Sequence, residues 1–321
     1  MIEQGFRFHE DEPDRPAIIS RSEIRPLQEL SWGDLKTQVA SFAYSLRRMG
    51  VGPGDRVVAY LPNIPETVVA FYACASIGAI WSSCSPDMGT RSVIDRFLQI
   101  DPKVMIAVDG YRYGGKDFDR MDVVRQLRSE LPTLEQVVLL PYLDASANLD
   151  DSVAWSDMLA HDQPMTFEQL PFDHPLWVVY SSGTTGMPKP IVHSHGGALL
   201  EGLQGQGLHM DLQPNDRYLW FTTTGWIMWN AQIGGLLLGS TICIYDGNPG
   251  YPDLGTLWRF AGEAGVTFFG AGAAYFLNCK WAVTRSCRST LARCSVAPWV
   301  PPSMPLMRMV TSWMTRWASW W

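Results

Sequence analysis

The sequence predicts an α/β fold in which parallel sheets are covered by helices, and two observations support this prediction. Short runs rich in Val, Ile and aromatic residues alternate along the chain with longer amphipathic stretches, which is the pattern of parallel strands joined by helices. The chain has 321 residues, of which 46% are hydrophobic and 18% are charged. Such a chain can bury a core in about two domain-sized units.

Eight short apolar runs are predicted as strands, because each is dominated by β-branched, aliphatic or aromatic residues and is bounded by polar or turn residues. The predicted strands are 56–60, 79–83, 104–108, 136–140, 176–180, 217–221, 241–245 and 266–269. Amphipathic stretches at 32–49, 64–77 and 254–264 predict three of the helices between them. The polar, irregular stretch 144–171 is predicted to connect two subdomains.

Residues 67–86 carry no charge and are long enough to cross a bilayer. Their apolar pattern changes period near Gly78, which instead predicts a buried helix followed by a buried strand. We therefore predict no membrane span. The acidic start of the chain, broken by Pro13, does not resemble a secretion signal. The six cysteines have neither CxxC nor zinc spacing, so a cytoplasmic protein with reduced thiols is expected.

The net charge disfavours nucleic acid as a partner. The formal charge is -7 and the pI is about 5.4, whereas a broad nucleic-acid surface needs clustered Lys and Arg. A small anionic ligand in a local pocket remains compatible with this charge. We expect small-molecule substrates.

The composition changes abruptly after Cys279. Residues 280–321 contain no Asp, Glu, Gly, Phe, Tyr or His, yet they hold six of the 14 tryptophans and six scattered basic residues. This composition fits no ordinary domain. We predict that 280–321 is translated out of frame, with the change of frame within a few codons of Cys279. A Trp- and Arg-rich segment for membrane surfaces is the alternative.

The segment 181–189, SSGTTGMPK, directly follows the predicted strand 176–180. Glycines let backbone N–H groups approach phosphate oxygens, hydroxyls add donors, and lysine adds a positive charge. The segment is not a Walker A loop, because Gly186 lies three residues before Lys189 and a proline follows the lysine. A flexible polar linker is the alternative, but the apolar residues on both sides disfavour it. The segment is therefore predicted to bind phosphate.

Together with its flanks, this segment reads YSSGTTGMPKPIVHSHGG over residues 180–197 and resembles the phosphate loop of the adenylate-forming family of acyl-CoA synthetases. The resemblance implies a reaction in which a carboxylate attacks ATP to form an acyl-adenylate, and the thiol of CoA then displaces AMP, with Mg²⁺ assisting. It implies catalytic roles for Thr184 and Lys189. The residues that it implies for binding the ATP phosphates are Ser181, Ser182, Gly183, Thr184, Thr185, Gly186 and Lys189.

The same resemblance implies that residues 1–279 form an incomplete large N-terminal domain of the AMP-binding fold. The adenine-binding segment, the ribose aspartate, the metal carboxylate and the small domain with the adenylation lysine would follow residue 279. No metal ligand is therefore predicted in this chain, and little or no turnover is expected from it. A non-catalytic nucleotide-binding fragment is the alternative function.

A second segment, YLWFTTTGW at 218–226, resembles the family segment beside the acyl and CoA-thiol tunnel. The resemblance implies that Trp226 lies near CoA and that Ile227 and Met228 line the acyl pocket. The run of threonines at 222–224 departs from the acidic residue usual in acetate enzymes, which points away from acetate. An aromatic run is also common in a hydrophobic core, and this is the alternative interpretation.

Two further segments refine the resemblance. The run GAGAAY at 270–275 resembles the branch of the family that acts on acetoacetate, which implies that Gly270, Ala271 and Gly272 contribute to the acyl pocket. A ligase for acetate, propionate or butyrate is the alternative. YRYGGK at 111–116 resembles a region that approaches the CoA nucleotide, so Arg112 is a candidate contact, although a solvated surface arginine is the simpler interpretation.

His193 and His195 are two residues apart and would share one face of a strand. A metal site needs more ligands than two, and no carboxylate or cysteine lies near them in sequence. We predict a structural role at the start of the next helix.

Overall fold

The protein structure is a computed structural model that describes residues 2–8, 10–181 and 186–279, together with the backbone of residues 308–309. The strands of this part are β1 (Pro16–Ser22), β2 (Gln28–Ser31), β3 (Arg56–Tyr60), β4 (Ile80–Cys84), β5 (Val104–Val108), β6 (Gly110–Tyr113), β7 (Lys116–Asp119), β8 (Gln136–Leu140), β9 (Val153–Ala154), β10 (Pro175–Ser181), β11 (Lys189–Ser194), β12 (Arg217–Trp220), β13 (Thr241–Asp246), β14 (Phe268–Gly270) and β15 (Arg308–Met309).

Helices connect or flank most of these strands. The α-helices are α1 (Ile2–Phe6), α2 (Trp32–Arg48), α3 (Pro65–Ser76), α4 (Thr90–Phe97), α5 (Met121–Glu130), α6 (Trp155–Met158), α7 (His195–Gly202), α8 (Ile227–Gly234) and α9 (Thr256–Glu263). Residues 273–279 are also helical. Short 3-10 segments cover Leu98–Ile100 and Gly235–Leu238, and a π-helical segment covers Leu203–His209.

The strands form two large sheets and one hairpin. The seven-stranded sheet has the order β11-β10-β4-β3-β5-β8-β9 and is parallel except for the β10–β11 pair. The six-stranded sheet has the order β15-β14-β12-β13-β1-β2 and is parallel except for the β1–β2 pair. Strands β6 and β7 pair only with each other among the described strands. These sheets and their helices confirm the predicted fold class.

Alternate residues of the central strands bury two different faces. On β3, Val57 and Ala59 join a core cluster with α2 and α3, whereas Val58 and Tyr60 join a second cluster with α4 and α5. This alternation follows from the two-residue period of a strand. The first cluster also contains Ile242 and Phe268 of the six-stranded sheet, so the core around α2 and α3 is shared by both sheets.

The predicted strands lie at or within about two residues of the observed ones at most ends. The bounds of β3, β5 and β8 are as predicted, β4 is shifted by one residue, and β14 begins two residues later than expected. Sequence analysis missed β1, β2, β6, β7, β9 and β11. Strand β11 carries Pro190 and His193, and three of its six residues are exposed, as the edge position of this strand in its sheet allows.

This topology shows where the uncharged stretch 67–86 and the polar stretch 144–171 lie in the fold. Residues 67–86 include most of α3 and all of β4, joined at Gly78, which has a φ of 75°. In the described ranges no helix is both long enough and apolar enough to cross a membrane. The stretch 144–171 joins β8 to β10 of the same sheet, with β9 and α6 inside it, and its place between two subdomains stays a prediction. Its polarity suits a surface crossover between two strands that are not neighbours.

Candidate functional site

The predicted phosphate-binding segment leaves the carboxyl end of β10 and returns as β11. Ser181 ends β10 and lies opposite Lys189, the first residue of β11, in the antiparallel register. Lys189 is exposed. Gly186 has open space beside it, because no atom outside the neighbouring residues lies within 4 Å of the position that a Cβ on this residue would occupy. The predictions for Ser182, Gly183, Thr184 and Thr185 lie outside the described residues. Ser181, Gly186 and Lys189 are therefore the described members of the predicted phosphate contacts.

The base of this segment is anchored to α4 and the residues after it. The hydroxyl of Tyr180 donates to the carbonyl oxygen of Arg96 at 2.7 Å, and the side-chain amide of Gln99 donates to the carbonyl oxygen of Pro188 at 3.0 Å. Burial raises the pKa of Tyr180, so its hydroxyl remains a donor at neutral pH. The Arg96 guanidinium lies 5.7 Å from the centre of the Tyr180 ring. Both described ends of the segment are thus held by contacts with α4 and the residues after it.

A small cavity joins the base of this segment to the Gly225–Trp226 segment. Its volume is about 10 Å³, room for about one water molecule. Its lining includes Ser83, Arg96, Tyr180, Gly225, Trp226 and Asn230. Trp226 is 46% exposed, so it stands at the surface of this region. Tyr218, Leu219 and Trp220 of the same run are buried, as the alternative interpretation of a core segment expects. The structure therefore brings together two segments that were predicted separately.

The cavity does not include every residue predicted for the acyl pocket. Ile227 and Met228 begin α8 and are partly exposed, but neither lines the cavity. Thr224 and Asn230 do line it, and sequence analysis assigned a role to neither. Asn230 follows Trp226 by four residues, so the helical spacing after the Gly-Trp pair was the signal that could have identified it.

Thr224 explains part of the unusual threonine run. It is 2% exposed, and its hydroxyl donates to the carbonyl oxygen of Leu61 at 2.6 Å. Its own carbonyl oxygen accepts from the hydroxyl of Ser83 at 2.8 Å. Since both bonds cross to other elements, they position the backbone that leads into Gly225 and Trp226. Behind them, the indole of Trp229 donates to the side-chain oxygen of Asn63 at 3.1 Å.

Gly270 and Gly272 have different surroundings. Gly270 lies opposite Trp220 in the β12–β14 pair, and a Cβ on Gly270 would lie 2.2 Å from the indole ring of Trp220. No atom outside the neighbouring residues lies within 4 Å of the corresponding position on Gly272. Ala271 between them is buried. None of the three lines the cavity beside Trp226, and their predicted contribution to an acyl pocket stays a prediction.

We expect Gly270→Ala to lower the free energy of unfolding by about 2 kcal/mol or more, because the added methyl group overpacks against Trp220. Gly272→Ala is the matched control and should change this free energy by no more than about 0.5 kcal/mol. Urea denaturation of both variants measures the difference. Equal stability of the two variants would contradict the packing role of Gly270.

Arg112 lies on the hairpin of β6 and β7, where its guanidinium forms a fork with the carboxylate of Asp117. The Nη2 atom donates to Oδ2 at 2.9 Å, and Nε donates to Oδ1. This hydrogen bonding raises the pKa of Arg112 and lowers the pKa of Asp117. Both side chains are exposed, so Arg112 remains accessible to a ligand while its charge is partly neutralised.

The two histidines of the sequence prediction lie on different elements. The Nδ1 atom of His193 on β11 accepts a hydrogen bond from the indole of Trp177 at 2.9 Å. His195 is the first residue of α7, whose preceding residue Ser194 accepts from the backbone N–H of Gly197. Burial lowers the pKa of His195 to about 4, so it is neutral at pH 7. Within the part of the chain that the structure covers, no three His, Cys, Asp or Glu side chains converge on a metal site.

A larger cavity of about 230 Å³ lies at the other end of β10, away from the phosphate segment. It is lined by residues of α3, the segment before β10 and α7, including Phe172 and His195. The larger cavity therefore lies at the opposite edge of the sheet from the segment that the sequence motif predicts to bind phosphate.

A buried junction near the hairpin contains Asp246, the last residue of β13. Its carboxylate accepts a hydrogen bond from the hydroxyl of Tyr142 at 2.8 Å, which ties the six-stranded sheet to the segment after β8. Desolvation raises the pKa of Asp246 to about 7, and the nearby carboxylates of Glu23 and Asp87 act in the same direction, whereas Tyr142 and Arg25 lower it.

This raised pKa predicts that Asp246 makes the folded state less stable as pH rises. The folded state binds the proton more tightly than the unfolded state, so the contribution of Asp246 decreases from its unfolded pKa near 3.8 up to about pH 7. Between pH 5 and pH 8 the loss should be on the order of 2 kcal/mol, since each pKa unit corresponds to about 1.4 kcal/mol. Asp246→Asn keeps an acceptor for Tyr142 and should remove this dependence. Parallel stability curves for the two proteins would contradict the prediction.

Comparison with known proteins decides the family. The model of a family described as AMP-binding enzyme matches residues 6–302. The chain belongs to this family. The match confirms the family resemblance of residues 180–197. The matched range ends at residue 302, beyond Cys279, and the change of frame predicted near Cys279 stays a prediction.

Other members of the AMP-binding family are similar to this chain along most of its length. Acetoacetyl-coenzyme A synthetase of Rhizobium meliloti (strain 1021) is 45% identical over 266 residues, which cover 81% of this chain and 40% of that protein. Acetoacetyl-CoA synthetase of Danio rerio is 43% identical over 279 residues, which cover 83% of this chain and 41% of that protein. The solved structure of acetoacetyl-CoA synthetase from Streptomyces lividans matches with a TM-score of 0.86 and 50% identity, covering 89% of this chain and 44% of that one. The chain therefore spans about two fifths of the length of these relatives.

Proposed function

We propose that this chain is part of an AMP-forming acid–thiol ligase that joins acetoacetate to CoA. One observation carries the proposal: the base of the phosphate segment and the Gly225–Trp226 segment line the same cavity in a member of the AMP-binding family. The relatives named acetoacetyl-CoA synthetase support acetoacetate as the acid. ATP, CoA and acetoacetate are thus the proposed substrates.

In the first half-reaction, a carboxylate oxygen of acetoacetate attacks the α-phosphorus of ATP, and pyrophosphate leaves. Catalysis then depends on groups that stabilise charge on the phosphoryl oxygens. We assign this role to the hydroxyls of Ser181, Ser182, Thr184 and Thr185 and to the ammonium of Lys189, with Gly183 and Gly186 giving backbone N–H groups access. The anchoring of both ends by Tyr180 and Gln99 supports this assignment, because it fixes the residues from which the segment leaves β10 and enters β11.

In the second half-reaction, the CoA thiolate attacks the carbonyl carbon of the acyl-adenylate, and AMP leaves. We assign Trp226 to the thiol approach, and Ile227, Met228, Gly270, Ala271 and Gly272 to the acyl pocket, together with Thr224 and Asn230 from the cavity. Arg112 on the exposed hairpin is assigned to the CoA nucleotide. Mg²⁺ would supply further charge neutralisation, but the described residues include no converging set of carboxylates for it, and we derive no step from it.

A hybrid enzyme tests this function: residues 1–279 replace the matching part of the Rhizobium meliloti acetoacetyl-CoA synthetase. We expect acetoacetate to support exchange of labelled pyrophosphate into ATP without CoA, and to support AMP release once CoA is added. Butyrate is the matched comparison, because it has the same number of carbons and lacks the keto oxygen. Faster exchange with acetate, propionate or butyrate than with acetoacetate would overturn the assignment of the acid, and no exchange with any acid would overturn the ligase.

A further inference from the structure

A single carboxylate fastens the β6–β7 hairpin to the six-stranded sheet. The Oε1 atom of Glu23 accepts hydrogen bonds from the backbone N–H groups of Gly114 at 2.8 Å and Asn248 at 2.7 Å. Its Oε2 atom accepts from the backbone N–H of Gly115 at 2.7 Å. Hydrogen bonds to an ionised acceptor are stronger than neutral ones. Three of them on one side chain therefore form a specific clamp between sequence-distant segments.

The backbone around Glu23 is shaped for this close approach. Gly114 and Gly115 have φ values of 63° and 76°, as the two central residues of a tight type I′ hairpin turn require. A Cβ on Gly115 would lie 2.4 Å from the hydroxyl oxygen of Tyr251, and a Cβ on Gly247 would lie 2.7 Å from Cγ of Glu23. Any larger residue at these positions would separate the hairpin turn from Glu23.

The clamp lies at the carboxyl edge of the six-stranded sheet. Glu23 directly follows β1 and Asn248 follows β13, and the ends of these two parallel strands are paired through Ser22 and Asp246. The hairpin turn rests on this edge, and Arg112 lies on the strand that enters the turn. The position of Arg112 relative to the sheet thus depends on the hydrogen bond between Glu23 and Gly114, which lies two residues after Arg112 on the hairpin.

We propose that Glu23 is a positioning residue for CoA: it holds the β6–β7 hairpin so that Arg112 faces the nucleotide part of that substrate. The inference rests on the proposed function, because only a CoA ligase needs Arg112 in that place. The three backbone N–H dipoles directed at Glu23 offset part of the repulsion between its charge and the phosphates.

Glu23→Gln is the most informative variant because it keeps the size of the side chain and removes one of its two acceptor oxygens. The –NH₂ group of glutamine cannot accept a hydrogen bond. It replaces either the oxygen that accepts from Gly114 and Asn248 or the oxygen that accepts from Gly115, so at least one bond is lost. We expect hydrogen exchange at the Gly114 and Gly115 amides of the 321-residue chain to accelerate about tenfold or more. Glu29→Gln on β2 is the matched control, because Glu29 is exposed and has no role in the clamp.

The effect on CoA is measured in the hybrid enzyme by calorimetric titration with CoA. Glu23→Gln should raise the Kd of CoA about tenfold and leave acetoacetate-dependent pyrophosphate exchange unchanged, since that exchange does not involve CoA. Gly247→Ala is a second variant that displaces Glu23 without altering its charge, and it should give the same pattern. Glu29→Gln should alter neither quantity.

Three results would overturn the proposal. The first is unchanged amide exchange in Glu23→Gln, and the second is faster amide exchange with an unchanged Kd of CoA. Loss of pyrophosphate exchange together with weaker CoA binding would also overturn it, because a general loss of structure would then be the cause. If the unmodified hybrid enzyme fails to exchange pyrophosphate, the proposed function fails. Amide exchange and the Kd of CoA still decide the role of Glu23 in that case.

Discussion

Lys189→Ala in the hybrid enzyme should slow acetoacetate adenylation about 10² to 10³-fold at saturating ATP, while the Kd of CoA stays unchanged. The expected size follows from the loss of one charged contact to the departing pyrophosphate, which costs about 2.7 to 4 kcal/mol in the transition state. Lys189 suits this role because it is exposed, begins β11, and lies opposite Ser181 at the mouth of the phosphate segment. Pyrophosphate exchange with acetoacetate measures the rate.

Met187→Ala is the control within the same segment, because Met187 is exposed and uncharged and its loss removes no charge. Lys189→Arg keeps the positive charge but spreads it over a planar group, so it should recover only part of the rate. An adenylation rate of Lys189→Ala equal to that of Met187→Ala would contradict the role assigned to Lys189.

The 321-residue polypeptide, assayed by itself, should release AMP from ATP, acetoacetate and CoA at less than about one tenth of the rate of the hybrid enzyme. The phosphate segment can supply donors for pyrophosphate, but affinity for ATP also needs adenine, ribose and metal contacts, which the family resemblance assigns to sequence after residue 279. Each missing polar contact costs about 1 to 3 kcal/mol, so several together would move the Kd of ATP from micromolar towards millimolar.

The assay should first establish that the polypeptide unfolds cooperatively, so that low activity is not confused with loss of structure. AMP release is then measured with acetoacetate, acetate and butyrate. Turnover within about tenfold of the hybrid enzyme on any of these acids would refute the expectation and would give residues 280–321 a function that their composition does not suggest.

The elements that could be predicted from the sequence are those with strong local signals. The runs at β3, β5 and β8 are continuous, apolar and bounded by turn residues, and they are buried on both faces in the structure. Strands β2, β7 and β11 are exposed and polar. Each of them pairs with the strand that directly precedes it in the chain. Their short runs lack the continuous apolar residues or the clear alternation that identify a strand in a sequence.

The same distinction applies to the candidate site. The order of hydroxyls, glycines and lysine at 181–189 was enough by itself to predict a phosphate-binding segment after an apolar strand, and the strand β10 lies where it was expected. Only the tertiary structure decided that Gly225–Trp226 lies against the base of this segment, that Thr224 holds it through Leu61, and that Glu23 fastens the hairpin. The physical reason is that a turn and its donors are local properties of a few consecutive residues. A contact such as Glu23 with Gly115 joins segments separated by 92 positions, and it forms only when the packing of both sheets brings their ends together.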